Sequence, residues 1–438
     1  MASTARRVSF AAVTRLAIIG TGYVGLTTGV CFAHLGHDVV CADIDADKVA
    51  QLSRGEVPIF EHRLDELLAE GLRNGNLRFV VGSAAAVTDA EIVFLCVPTP
   101  QGEDGSADLS YVEAAAAEIA PLLAYESIVV NKSTVPVGST RIVERVMKRP
   151  DVRVVSNPEF LREGSAVDDF LRPDRVVVGC EDRAAAIAVG ALYDSVRAQV
   201  IVTDPASAET IKYAANAFLA TKLSFVNAIA AICEGVGADV DDVMVGMGYD
   251  KRIGAEFLKP GPGWGGSCFG KDSRALLNIA RETGYQFDLL AGVIAVNDEQ
   301  FDRVTDKIRV AAGGSLQGAV IAVWGLTFKA RTDDLRDSPS LSIINRLLAA
   351  GATVQAFDPT VAASKPGIPA EVQLHDSAIG ATTGALVLTV LTEWDDFRWV
   401  AAGDVAAVMT GRAVVDGRNL LDRTAWQHAG FTHTGIGR

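Results

Sequence analysis

One cysteine in this chain is placed to act as a nucleophile. Cys268 follows the glycine-rich run Gly261-Pro262-Gly263-Trp264-Gly265-Gly266-Ser267 and precedes a helix that the pattern predicts over 273–283. A helix N-terminus carries a partial positive charge and N–H groups without helical partners, and both favour thiolate over thiol. Glycines let a backbone come close to a bound ligand. Asp272, four residues after the cysteine, reads either as the N-cap of that helix or as a base or orienting acid beside the thiol.

Other polar residues fall where chemistry could use them. Lys212 and Asn216 are one turn apart in an apolar helical pattern over 208–235, so they share a face. They are costly there unless engaged, or else they snorkel to solvent at the helix end. Glu159 and Glu163 are four apart in Asn157-Pro158-Glu159-Phe160-Leu161-Arg162-Glu163-Gly164. A carboxylate there can orient or deprotonate water, the other reading being a proline-started helix with solvated glutamates. Val97-Pro98-Thr99-Pro100 and Lys132-Ser133-Thr134-Val135-Pro136-Val137-Gly138 each follow a strand pattern. Loops at the carboxyl ends of parallel strands bind ligands in open α/β sheets, and ordinary turn chemistry is the alternative. Lys329, Arg252, Lys259, Arg336 and Arg418 lie in or beside glycine-rich or strand-end loops and are candidates for a local positive field.

The elements that must hold these residues follow from periodicity. Residues 15–19 form an apolar run suited to a strand buried on both faces, 22–35 have helical spacing, and 38–43 form the next strand. Between them, Gly20-Thr21-Gly22-Tyr23-Val24-Gly25 supplies a glycine for the turn, one for approach of a pyrophosphate and one for helix–strand packing. Asp43 stands where the ribose-binding acid is expected; a carboxylate there accepts from a 2′-hydroxyl and repels a 2′-phosphate, so NAD is favoured over NADP. Strand patterns recur at 92–97, 128–131, 152–156 and 175–179, with helical segments between most of them, which predicts a parallel, doubly wound sheet. The long helix follows, buried between domains or subunits. A second strand–helix–strand unit begins at Gly318, with strands at 319–324, 353–357, 385–391 and 413–415. Its first turn, Gly325-Leu326-Thr327-Phe328-Lys329, lacks the three-glycine pattern and predicts a ligand other than a dinucleotide. The fold class is therefore α/β, with two Rossmann-like doubly wound domains joined by a long central helix. The partition is a frayed extension at 1–14, an NAD-binding domain at 15–206, a central helical region at 207–300 and a second Rossmann-like domain, for a ligand other than a dinucleotide, at 301–438.

Composition narrows the class. The 438 residues carry a net charge of -14, which argues against non-specific nucleic-acid binding. No apolar run reaches the roughly 18 residues that span a bilayer. Arg6-Arg7 superficially resembles a twin-arginine signal, but the apolar stretch behind it is the first strand of the nucleotide fold. The six cysteines form no C-x-x-C pair and sit at no zinc spacing with histidine, so no metal is expected; free thiols suggest a reducing cytoplasm.

Six strings in order carry a resemblance: GTGYVG, VVNKSTVPVG, SNPEFLREGSAVDDF, SAETIKYAANAFLATKLSFVNAIA, FLKPGPGWGGSCFGKD and GLTFKARTDDLRDSPS. From Arg15 to Asp422 the chain resembles the nucleotide-sugar dehydrogenases of the UDP-glucose/GDP-mannose dehydrogenase family. That resemblance implies a four-electron oxidation of a sugar C6 hydroxyl with NAD. An aldehyde is captured by Cys268 as a thiohemiacetal, oxidised to a thioester and hydrolysed to the uronate. It implies that Lys212 assists proton removal and stabilises an oxyanion that Asn216 helps to hold, and that Asp272 orients water or acts as base. Glu159 and Thr134 would serve the hydrolytic water. Gly20, Gly22, Tyr23, Val24, Gly25, Asp43, Lys48, Thr99, Thr134, Glu163, Lys271 and Arg336 would lie on the cofactor side. Glu159, Phe160, Leu161, Lys212, Asn216, Phe257, Leu258, Lys259, Gly265, Lys329 and Arg418 would lie on the substrate side. Arg252 resembles the arginine that reaches a neighbouring subunit's site, which implies a homodimer through the long helix. The strings lean to members acting on UDP-glucose, giving UDP-glucuronate, over those acting on GDP-mannose, and Ser267 argues against the N-acetylmannosamine members. Gly270 stands where the family usually has proline, and Glu61-His62-Arg63-Leu64 where EPGL is common; the second is expected to have little effect. A simple hydroxy-acid dehydrogenase and a non-catalytic nucleotide-sugar binder are the readings from other classes.

Overall fold

A computed structural model describes residues 13–102, 107–361 and 365–438. All but the last two residues of the expected N-terminal extension lie outside the described residues. The chain forms two compact units, one ending at Ala214 and the other beginning at Ala215.

The first unit is built on eight strands: β1 (Arg15–Ile19), β2 (Asp38–Asp43), β3 (Leu77–Val81), β4 (Ile92–Leu95), β5 (Ile128–Asn131), β6 (Arg153–Ser156), β7 (Val176–Gly179) and β8 (Val200–Thr203). Their order is β3-β2-β1-β4-β5-β6-β7-β8. The expected sheet is uniformly parallel; here β6 and β7 meet antiparallel, at the single pair Ser156 and Gly179. The segment between them holds only the six-residue helix Ala166–Leu171 and turns back instead of crossing over the sheet. Successive residues of a central strand enter opposite cores. Leu16 and Ile18 pack with Leu26, Val30 and Phe94, whereas Ala17 and Ile19 pack with Val93, Leu95 and Val129. Burial on both faces is why these strands read as unbroken apolar runs. Helix α1 (Tyr23–His34) follows β1, and β4 pairs on the far side of β1 from β2. That reversal of strand order is where doubly wound sheets open a ligand crevice.

Helix α2 (Pro205–Val236) is the expected long helix, extended a few residues at its start. It is long and apolar enough to cross a bilayer by length and composition, contrary to the sequence expectation, but 44% of its most apolar window is buried inside the protein. Its Ala217, Ala220, Val226, Ala230 and Cys233 sit in the second unit's own cores.

The second unit has six parallel strands: β9 (Val320–Trp324), β10 (Thr353–Phe357), β11 (Gln373–Leu374), β12 (Val387–Val390), β13 (Ala413–Asp416) and β14 (Thr432–Thr434). Their order, β11-β10-β9-β12-β13-β14, repeats the reversal around the first strand. Three further helices matter: α3 (Gly266–Glu282), α4 (Asp288–Ala311) and α5 (Pro339–Ala349). The two sheets open with the same turn. Gly20 donates its N–H to Ala42 O at 2.8 Å, and Gly325 donates to Phe357 O at 2.9 Å. The acids that follow differ. Asp358 is buried, and one of its oxygens accepts from Leu326 N, Thr327 N and the Trp394 indole, at 2.8, 3.1 and 3.1 Å. With an indole over it, Asp358 cannot face a ribose as Asp43 can.

Candidate active site

In the first unit, the site residues gather at the carboxyl ends of β1, β2, β4, β5 and β6. The fingerprint glycines are there for space. A Cβ on Gly25 would sit 1.9 Å from Gly20 O, while one on exposed Gly22 would meet nothing within 4 Å. Gly22 is also the N-cap of α1 and brings no side-chain cap, so the helix end is open to an anion. Asp43 accepts from Thr21 N at 2.9 Å, Thr21 Oγ1 at 2.5 Å and Lys48 Nζ at 3.0 Å. Burial raises its proton affinity, but those hydrogen bonds outweigh it and hold the carboxyl down at about 2. An ionised acid beside an open helix end fits the adenosine half of a dinucleotide. Lys48 is thus engaged with Asp43. Thr99 Oγ1 donates to Thr134 O at 2.9 Å, tying together the two loops that end β4 and β5.

Glu61 holds more than the sequence suggested. Its carboxylate accepts from the hydroxyl of Tyr23, from Gly164 N at 2.7 Å and from Ala166 N at 2.9 Å. It therefore joins the fingerprint to the segment that carries Glu163. Glu61 is common to this run and to EPGL, which differ only at His62 and Arg63, and it is a buried acceptor for two backbone N–H groups.

Glu159 is 5% exposed and pairs with Lys212, 3% exposed, at 2.8 Å. Its other oxygen accepts from Leu161 N at 2.6 Å. Burial pushes the Glu159 carboxyl up, but the Lys212 ammonium, Leu161 N–H and more distant Lys132 prevail, and the net displacement is downward. Lys212 Nζ also lies 5.5 Å from the Phe160 ring centroid, and the Arg175 guanidinium covers that ring at 3.6 Å. Lys212 does not snorkel to solvent; it is a buried ammonium held against a carboxylate.

In the second unit the surroundings of Cys268 differ from expectation. Helix α3 starts at Gly266, not after the cysteine, and Gly265 is its N-cap. Cys268 is therefore inside the first turn, and Asp272 is one turn further on rather than an N-cap. Asp272 is fully buried, accepting from Lys271 Nζ at 2.8 Å and from Asn216 Nδ2 at 2.6 Å. Ser267 Oγ lies 3.6 Å from Cys268 Sγ. Gly270, where the family usually has proline, is buried within the helix and not in a turn.

The glycines before Cys268 are required by the packing of another segment. A Cβ on Gly265 would lie 1.8 Å from Asp337 O, and one on Gly266, where φ is +83°, would lie 2.7 Å from the Phe328 ring. The run Thr327 to Ser338 thus closes directly on the helical turn that carries Cys268. Lys329 extends over the Phe328 ring at 5.5 Å. Arg418 donates to Leu391 O at 2.8 Å and Phe328 O at 3.1 Å, and pairs with Glu393 at 3.0 Å.

Four buried residues that sequence reasoning missed hold the loop upstream of the cysteine. Asn227 accepts from Gly261 N at 2.9 Å, and Gln300 donates to Gly261 O at 2.8 Å. Asn297 accepts from Trp264 N at 2.8 Å and donates to Trp264 O at 2.9 Å. Ser224 accepts from the Trp264 indole at 2.8 Å. Their signal in the sequence is polar residues three apart in the buried phase of α2 and α4.

Leu258 is buried in the second unit's core, Phe257 adopts φ 61° beside Phe269, and Lys259 is exposed. Arg252 is exposed and folded onto Asp250 at 2.6 Å. Arg336 and Lys271, expected on the cofactor side, pair with Asp334 and Asp272 in the second unit. Among the described residues, no group of three or more His, Cys, Asp or Glu could hold a metal ion.

Three family models match in register with this architecture. They are the NAD binding domain at residues 14–197, the central domain at 206–299 and the UDP binding domain at 322–423, all of the UDP-glucose/GDP-mannose dehydrogenase family. The chain belongs to that family. The UDP-glucose 6-dehydrogenase of Pseudomonas aeruginosa is 45% identical, with 97% of each chain covered. The UDP-glucose 6-dehydrogenase TuaD of Bacillus subtilis is 43% identical, covering 97% of this chain and 93% of its own. A solved UDP-glucose dehydrogenase from Pyrobaculum islandicum is 34% identical, with a TM-score of 0.89 and 98% of each chain covered. As a member of the UDP-glucose/GDP-mannose dehydrogenase family, the chain is an NAD-dependent oxidoreductase whose C-terminal part binds a UDP-sugar.

Proposed function

We propose that the chain oxidises the C6 hydroxyl of UDP-glucose to the carboxylate of UDP-glucuronate through a thioester on Cys268. The observation that carries this reading is the start of α3, where Cys268 lies in the first turn and Asp272, held by Lys271 and Asn216, lies one turn on. Helix N–H groups at that turn favour the thiolate. The names of the relatives favour UDP-glucose over GDP-mannose.

The fingerprint glycines and Asp43 would hold NAD⁺, which would supply the hydride acceptor for each oxidation. Lys212 assists loss of the hydroxyl proton and stabilises the oxygen as charge develops on it. The Cys268 thiolate forms a C–S bond to the aldehyde carbon, and the carbonyl pair moves onto oxygen, held by Lys212 and Asn216. Loss of the second hydride leaves the thioester. Asp272, with Glu159 and Thr134, orients and deprotonates water; its oxygen bonds to the carbonyl carbon, the C–S bond breaks and the thiolate is regenerated.

The test is NADH formed per UDP-glucose consumed, with GDP-mannose in parallel. Two NADH per UDP-glucose, lost in Cys268→Ser, is the expected result. One NADH, untouched by the substitution, rules out the cysteine route. Turnover with GDP-mannose alone moves the substrate to the sister activity.

A homodimer belongs to the same proposal. Phe218, Phe225 and Ile232 recur every seven residues on α2 and are 65%, 49% and 58% exposed, an apolar stripe suited to a second copy. Arg252 would then reach the neighbouring site. Sedimentation of wild type and Phe225→Glu checks it: the variant should be monomeric. The six free thiols support a cytoplasmic setting.

A further inference from the structure

Lys132 is buried, charged and unused by the proposed mechanism. It follows β5 directly and is 4% exposed. Its ammonium donates to Asn157 Oδ1 at 3.0 Å and to Tyr193 Oη at 3.2 Å, and Tyr193 Oη donates to the same Asn157 oxygen at 2.8 Å. Asn157 in turn donates through Nδ2 to Val177 O at 2.7 Å and through its backbone N–H to Asn131 O at 2.9 Å. The ammonium also lies 5.6 and 6.0 Å from the ring centroids of Tyr193 and Phe170. A methionine would fill such an aromatic pocket without the cost of desolvating a charge.

The neighbourhood gives that charge a use. Asn157 is two residues before Glu159, and Glu159 pairs with Lys212. One buried carboxylate therefore stands with two buried ammonium groups. The ionisable groups facing Lys132 are Cys96 after β4, Glu159 after β6, Tyr193 ahead of β8 and Lys212 on α2. Burial draws the Lys132 ammonium down to about 8, Cys96 and Glu159 oppose that, and Lys212 adds to it.

We propose that Lys132 is a positioning residue for the reaction: it pins the strand end that carries Glu159 and sets a second positive charge against the Glu159–Lys212 pair. Resting on the function proposed above, this makes Lys132 the group that keeps Glu159 ionised and eases loss of a proton from Lys212, since a like charge disfavours the charged form.

The experiment is the pH profile of kcat/KM with UDP-glucose for wild type, Lys132→Met and Lys132→Arg. Loss of the positive charge raises the proton affinity of both Glu159 and Lys212. The Lys132→Met profile should therefore move to higher pH by on the order of one unit, with about tenfold lower kcat/KM at a pH on the acid limb. Lys132→Arg should keep the wild-type profile. Should Lys132→Met fail to fold, Lys132→Gln removes the charge but keeps a donor for Asn157 and Tyr193, and should give the same upward displacement. A folded Lys132→Met or Lys132→Gln with an unmoved profile overturns the proposal. Lys212→Ala, run alongside, separates the two readings: full turnover there would overturn the role of Lys212 itself, whatever Lys132 does.

Discussion

Replacing Asn297 with alanine should loosen the loop ahead of Cys268. Asn297 treats Trp264 as a strand would, accepting from its N–H and donating to its carbonyl, and Trp264 is 7% exposed. Alanine leaves both backbone groups buried without these partners. Each orphaned group costs about 1–3 kcal/mol, so the expected loss is roughly 3 kcal/mol after relaxation. For a unit of this size that lowers the thermal midpoint by about 6–12 °C. Asn297→Asp is the sharper probe. It is isosteric and keeps the acceptor, but sets a carboxylate oxygen against Trp264 O, so it should be at least as damaging as alanine. Thermal unfolding gives the stability, and titration with UDP gives the ligand readout: affinity should fall as the loop Gly261 to Gly265 loses its fixed shape. If both variants unfold at the wild-type temperature and bind UDP as tightly, the clamp contributes nothing and the reasoning is wrong.

Glu61→Gln should weaken the first unit by about 1–3 kcal/mol, because an amide nitrogen would face one of the two N–H groups that Glu61 accepts; urea unfolding measures this, and KM for NAD should rise because Tyr23 loses its anchor. Asp43 is held at about 2, below its unfolded value of about 3.9. Its stabilisation is thus complete above about pH 4 and disappears as pH falls through about 2, so Asp43→Asn should flatten the acid limb of stability across that window; an unchanged limb would count against it. Gly270→Ala should stabilise α3 by about 0.5–1 kcal/mol, as a helical glycine does when replaced. The new Cβ would meet only the flexible end of Arg274 at 3.1 Å and Asp337 Oδ2 at 3.4 Å, and a lower melting temperature would show that those neighbours cannot yield.

The sequence was readable where burial is uniform. Strands β1, β4 and β5 are apolar throughout because both faces are covered, and the glycine spacing after β1 admits one main reading. It was less readable where tertiary packing overrides local preference. Gly265, Gly266 and Gly270 look like breakers, which delayed the expected helix past Cys268, yet Gly265 and Gly266 are there to admit Asp337 and Phe328. Strand β8 is short and half-exposed at the sheet edge, and the reversal at β7 has no local signature. The clamp of Ser224, Asn227, Asn297 and Gln300 was hidden because a polar residue in a helix declares neither its burial nor its partner. Lys212 and Glu159 were visible as candidates, but their pairing joins residues 53 positions apart and needs the fold.

The closure of Thr327–Ser338 on Gly265 and Gly266 bears on how this protein could be cut or recombined. The family's central and UDP binding segments, 206–299 and 322–423, look separable along the chain. In three dimensions the turn that carries Cys268 is moulded against the later segment, atom to atom, and Arg418 reaches back to within 3.3 Å of where a Cβ on Gly261 would stand. A fragment ending near residue 300 would keep Cys268 and lose the surface that shapes it. Chimaeras that exchange nucleotide preference between relatives should therefore move residues 257–270 together with 325–339 and Arg418, because these form one inheritable part.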